Sequence, residues 1–160
     1  MLVEDIGNVI KTMQVMVQAE KAVGDFYKAC SESFGHDKEF WAHLAEEEYL
    51  HAEVIGRLSK SITAKPHDFE PGKMSPAEAL QSFTKRVRSY LATLSSGGFT
   101  EAHALFTAHL IESTFAENKY TEAIRTSDAQ YLEDLKKLTK DEANHKKMIS
   151  RKMRASKANT

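Results

Sequence analysis

Two short motifs define the chemistry open to this chain: Glu48-Tyr-Leu-His51 and Glu142-Ala-Asn-His145. Residues three apart on an α-helix share a face, so each motif aims a carboxylate and an imidazole in one direction. Two such matches in a chain this rich in Glu and His carry little weight by themselves. Their spacing carries more. Each motif has a lone glutamate one helix upstream, Glu20 and Glu112, and the midpoints of the two glutamate pairs are Phe34, beside Gly35, and Ser127, beside Asp128. If the chain reverses at those points, each pair lies at one height in an antiparallel helix hairpin, roughly 21–22 Å from its own turn. Two such hairpins packed together would gather four carboxylates and two imidazoles into one layer.

Burying an ionised carboxylate in an apolar layer is costly, and burying four side by side adds mutual repulsion. Two divalent cations offset both costs, because four carboxylates against two doubly charged ions are neutral. A mixed nitrogen and oxygen donor set without thiolate suits iron or manganese better than magnesium or calcium, and zinc can also occupy it. It leaves positions open to water, O2 or peroxide. In the favoured arrangement Glu48 and Glu142 bridge the two ions, Glu20 and Glu112 are terminal, and His51 and His145 each hold one ion.

Five helices would have to position these residues. Apolar periodicity and caps place the first over about Glu4–Ser33 and the second over about Lys38–Ser61, with Asp37 as N-cap. Trp41, Leu44, Ile55 and Leu58 lie on the same stripe as Glu48 and His51, so these two polar residues occupy core positions. A non-helical stretch from Thr63 to Lys73 follows, containing Pro66 and Pro71-Gly72. Ser75-Pro-Ala-Glu78 reads as a capping box opening a third helix to about Leu94. A fourth helix is expected over about Thr100–Arg125, then a turn and cap at Thr126-Ser127-Asp128, then a fifth helix over about Ala129–Met153. The fold expected is all-α: two antiparallel helix hairpins forming a four-helix bundle, with an additional helix in the long crossover connection. One domain over residues 1–155 is expected, with a frayed tail at 156–160.

With 160 residues, a net charge of −1 and a pI near 6.7, the chain shows no bulk charge favouring nucleic acid or an anionic membrane. The basic run from Lys146 to Lys157 reads as a solvated helix face, since no aromatic interleaves it. No stretch approaches the ~20 apolar residues of a membrane span, and no secretory signal is visible at the start. The single cysteine, Cys30, permits no intramolecular disulfide and fits a reducing compartment, so a cytoplasmic location is expected.

The pattern Glu20, Glu48-x-x-His51, Glu112, Glu142-x-x-His145, with Tyr27 and Tyr120 seven and eight residues after the lone glutamates, resembles the ferritin-like di-iron superfamily and, within it, the rubrerythrin-like proteins. The resemblance spans nearly the whole chain. It implies a ferritin-like bundle holding two iron ions, Tyr27 and Tyr120 close to the cluster, an oxidoreductase acting on Fe(II) with O2 or hydrogen peroxide, and often a homodimer. Two departures matter. Phe115 stands where rubrerythrins carry a further glutamate, and one cysteine cannot form their rubredoxin-type centre, so a separate electron-donor protein is implied. An alternative alignment makes His109 the earlier ligand and Glu112 the extra glutamate. Two rival functions are iron storage with little turnover and a helical interaction module with a vestigial site.

Other polar residues have plainer readings. Glu46 and Glu47 extend the acidic run as solvated positions, Glu47 being a minor rival partner for His51 at i+4. His36, His43, His67 and His103 read as loop or surface residues. Cys30 reads as an ordinary small residue, buried or half-buried.

Overall fold

The computed structural model describes residues 3–73, 76–117 and 122–158. It is helical, with five long helices and a single two-stranded ribbon among the described residues. Helix α1 (Val3–Ser33) and helix α2 (Lys38–Ala64) form a long antiparallel pair, joined through a single 3-10 turn at Gly35–Asp37. The reversal therefore falls where the glutamate midpoint places it. Asp37 directly precedes α2 but makes no capping hydrogen bond; its carboxylate is taken by Lys152 from the far end of the chain.

Helix α3 (Ala77–Ser95) packs along α1, its Leu80, Phe83, Val87 and Leu94 joining the hydrophobic core. Ser75, its expected cap, lies outside the described residues. Gly97, at φ 80°, carries the chain out of α3 in a conformation that side chains other than glycine rarely adopt. Helix α4 (Glu101–Glu117) follows and pairs with α5 (Ala129–Ala158), which also packs on α2.

Two boundaries differ from expectation. The fourth helix ends at Glu117 rather than near Arg125, because Ile124–Thr126 is a strand, β2, paired antiparallel with β1 (Phe69–Pro71). The stretch after α2, expected to be irregular, thus contributes a strand. Apolar Phe69 and Ile124 are buried in the ribbon, and Phe69 packs edge-on against Tyr131. A local sequence window cannot register this pairing across more than fifty residues. Gly72 marks its close approach, since a Cβ there would lie 2.0 Å from the Glu122 carbonyl oxygen. Asp128 does cap α5 as expected, its Oδ1 accepting the Tyr131 N–H at 2.9 Å.

The second difference lies at the C-terminus, where α5 continues to Ala158 and absorbs most of the tail expected to fray. Lys157 sits in its last turn, where a cation complements the helix dipole. None of the helices, over the described residues, is long and apolar enough to cross a membrane.

Candidate metal centre

Among the described residues, the interior between α1, α2, α4 and α5 is mainly apolar and holds a cluster of buried Glu and His side chains. Above it, toward the α1–α2 turn, sit Phe26, Tyr27 and Trp41, all fully buried. Met13, Met16, Ile55 and Leu58 belong to the same core. Glu20 from α1, Glu48 and His51 from α2, Glu112 from α4 and His145 from α5 are all at least 97% buried. Glu142 is half-buried as a residue, but its Oε1 is sealed from solvent.

Glu48 sits between the two imidazoles. Its Oε1 lies 2.7 Å from His145 Nδ1 and its Oε2 lies 3.5 Å from His51 Nδ1. Glu20 Oε2 approaches His51 Nδ1 at 4.0 Å, and Glu112 Oε1 approaches His145 Nδ1 at 3.9 Å. The two rings stack with centroids 5.3 Å apart. Glu48, His51 and His145 offer ligand atoms within 4.8 Å of one another, close enough to hold a metal ion. The structure therefore gathers both histidines and the carboxylates of Glu20, Glu48 and Glu112, with Glu142 at the edge.

Many of these atoms have no hydrogen-bond partner. Both oxygens of Glu20, one oxygen each of Glu48, Glu112 and Glu142, both nitrogens of His51 and Nδ1 of His145 are buried and unpartnered. The 2.7 Å approach of His145 to Glu48 is close but poorly directed for a hydrogen bond. Buried polar atoms are nearly always satisfied, and leaving one unmade costs about 1–3 kcal/mol. So many orphans converging in one place fit a ligand that accepts electron pairs from oxygen and nitrogen together. A cation does.

The electrostatics give the same account. Burial, then the Glu48 charge, pushes Glu20 well above the ordinary carboxylate range. Burial followed by Glu48 pushes Glu112 up to about 8, and burial with Glu48 and Glu112 pushes Glu142 up to about 9. Burial also works upward on Glu48, yet its contacts with His145 and His51 outweigh that and hold it well below the ordinary value. Burial would lower His145, but Glu48, Glu112 and Glu47 raise it to about 10. Without a cation the cluster is balanced by protons: an ionised Glu48 against a charged His145, with the other carboxyls neutral.

No protein-family model matches this chain, and no curated protein or solved structure matches it either.

The outer faces of the imidazoles show what the motif reading missed. Glu47, read as solvated, accepts a hydrogen bond from Nε2 of His145, the histidine of the other motif. Asp141 Oδ2 lies 3.5 Å from Nε2 of His51, again across the motifs. Each acid directly precedes the motif glutamate, so the repeated unit is acid-Glu-x-x-His: Glu47-Glu48 and Asp141-Glu142. That shared acid was the available signal. A cavity of about 190 Å3 between α2 and α5 opens beside His51, Glu47 and Asp141.

The remaining candidates fall as follows. Tyr27 donates its hydroxyl to Glu112 Oε1 at 2.5 Å, one contact from the cluster. Tyr120 lies outside the described residues. His109 is half-buried with a sealed, unpartnered Nδ1 and does not join the group of candidate ligands. His43 lies 3.5 Å from Glu47 and is exposed. His36, read as a surface residue, is exposed but lies 2.6 Å from Glu101, and with Asp37 forms a second acidic cluster at the end of the molecule. Cys30 is fully buried.

Proposed function

We propose that this chain is a ferritin-like helical bundle of the rubrerythrin type whose buried cluster holds two iron ions and oxidises Fe(II) with O2 or hydrogen peroxide. The observation that carries the reading is the set of sealed, unpartnered carboxylate and imidazole atoms, which only bound cations would satisfy together. Glu20, Glu48, His51, Glu112, Glu142 and His145 would hold the two ions. Glu47 and Asp141 would fix the ring orientation of the two imidazoles by holding their outer nitrogens, as carboxylates commonly do behind ligating histidines. A pair of redox-active ions at this place would supply electrons to O2 or peroxide. The apolar surroundings exclude bulk water, and the cavity beside His51 gives a small oxidant a way in. A homodimer and a separate electron donor complete the reading, the latter because the one cysteine cannot build a second iron centre.

The deciding experiment is metal analysis of the full chain after loading with Fe(II) under anaerobic conditions, with an absorbance spectrum after exposure to O2 or peroxide. Two irons per chain with an oxo-bridged charge-transfer band are expected. A folded protein that retains no metal, and whose melting temperature ignores chelators, would overturn the assignment and support a vestigial site.

A further inference from the structure

A continuous line of side chains runs from the buried cluster to the surface, and the proposed reaction does not use it. It begins at Glu112, whose Oε1 accepts the Tyr27 hydroxyl at 2.5 Å. The Tyr27 ring lies against Trp41, centroids 5.9 Å apart and tilted by 39°, and both residues are fully buried. Trp41 Nε1 donates to Glu101 Oε1 at 3.4 Å, and Glu101 Oε2 lies 2.6 Å from Nε2 of His36, whose side chain is 73% exposed. Trp41 also meets Phe40 edge-on at 5.1 Å, and Phe40 is half-buried beneath the Lys152 ammonium.

These residue types share one chemistry. Tyrosine and tryptophan are the side chains most readily oxidised by one electron while keeping their covalent frame, and each then loses its O–H or N–H proton. Each of those protons is already hydrogen-bonded to a carboxyl group, Glu112 for Tyr27 and Glu101 for Trp41, and Glu112 can receive one once the centre is loaded and its carboxyl is ionised. Elsewhere in the core an apolar ring would pack as well and would need neither acceptor. Trp41 is the only tryptophan in the chain.

We infer that Tyr27 and Trp41 form a one-electron relay between the metal centre and the surface at Glu101 and His36. The inference rests on reading the cluster as a redox metal centre. In the inward direction, Tyr27 gives one electron to the oxidised centre as its hydroxyl proton shifts to Glu112. Trp41 then returns an electron to Tyr27, which recovers its proton from Glu112. The indole proton of Trp41 passes to Glu101 and through His36 to water. A one-electron reductant in solution restores Trp41, with a proton returning by the same route. The net change is one electron moved from the reductant to the centre, and every side chain ends as it began.

The test has two arms. In the first, the full chain loaded with Fe(II) is mixed with hydrogen peroxide and freeze-quenched for electron paramagnetic resonance. The wild type is expected to show a short-lived tyrosyl radical that Trp41→Phe prolongs at least tenfold and Tyr27→Phe removes. In the second, the metal-free full chain, held in alkaline buffer so that the Glu112 carboxyl is ionised, is oxidised by a laser flash with a ruthenium photo-oxidant and followed by transient absorbance. The indolyl signal should decay as a tyrosyl signal rises, and the transfer should vanish in Tyr27→Phe. Glu101→Gln, which leaves the aromatic packing intact, should slow loss of the indole proton at least tenfold. Unchanged radical lifetimes in Trp41→Phe and Glu101→Gln, or tyrosyl formation independent of Trp41 in the flash arm, would overturn the relay. Absence of bound iron would overturn the metal reading instead, and the flash arm would still decide the relay.

Discussion

In the α1–α2 hairpin Glu20, Glu48 and His51 are all sealed from solvent, and a single 3-10 turn joins two long helices. In the α4–α5 hairpin Glu112 and His145 are sealed but Glu142 is half-buried, and the connection runs through strand β2. The two halves supply the same residue types at nearly the same spacing, yet their motif glutamates behave oppositely. Glu48 touches both imidazoles and is held ionised, whereas burial with Glu48 and Glu112 nearby pushes Glu142 up to about 9. The repeated Glu and His side chains therefore form an asymmetric cluster, with Glu48 as its anchor. A quasi-repeat in sequence carries no promise of equal electrostatics, because each carboxylate feels the field of all the others.

The largest effect should come from removing that anchor. Glu48→Ala should abolish binding of both ions and destabilise the metal-free fold by about 3–5 kcal/mol, since it strips the partner from a buried charged imidazole. Glu142→Ala should leave one ion bound by Glu48, His51 and His145. Metal content and urea melts of the two variants would show it, and equal losses would mean that the asymmetry is not real.

A pH series sharpens the same point. Glu112 and Glu142 ionise near 4.5 in the unfolded chain but stay protonated in the metal-free fold up to about 8 and 9. Between those values the folded state binds more protons, so stability falls as pH rises through the window. His145, raised to about 10, acts with the same sign above its ordinary value of 6.5. Glu48 has the opposite sign, but only below its ordinary value. The melting temperature of metal-free protein should therefore drop from pH 5 to pH 9, and bound metal should flatten the slope. Metal addition at pH 7 in weak buffer should release protons. A flat profile without metal would contradict the proton-balanced cluster.

Smaller effects belong to the acids behind the imidazoles. Glu47→Ala and Asp141→Ala should each weaken metal binding by about 10–100-fold. Glu47→Ala should lie at the stronger end, because Glu47 is hydrogen-bonded to His145 whereas Asp141 stands 3.5 Å from His51. Competition with a chelator of known affinity would rank them. Smallest, Tyr27→Phe should cost the metal-free fold about 1–3 kcal/mol by leaving one more Glu112 oxygen unpartnered. That cost should largely vanish once metal is bound.

Much of this was legible in the residues. Trp41, Leu44, Ile55 and Leu58 put Glu48 and His51 on a buried stripe, and both are buried. The turn at Gly35–Asp37 and the Asp128 cap also fall where local signals put them, since turn and cap chemistry act within a few residues. The end of α4 was not legible, because pairing of Ile124–Thr126 with Phe69–Pro71 outweighs local helical preference. Nor was the role of Asp37, which points to Lys152 instead of capping α2.

What the amino-acid order determined by itself is which side chains share a helix face and how far each stands from its turn, since helical geometry converts spacing directly into direction and height. Tertiary packing alone decided which imidazole each acid serves, why Glu48 and Glu142 titrate apart, and that Trp41 lies between Tyr27 and Glu101. Those are contacts between helices, and the energy of a charge or a ring depends on everything within a few ångströms, whatever its distance along the chain.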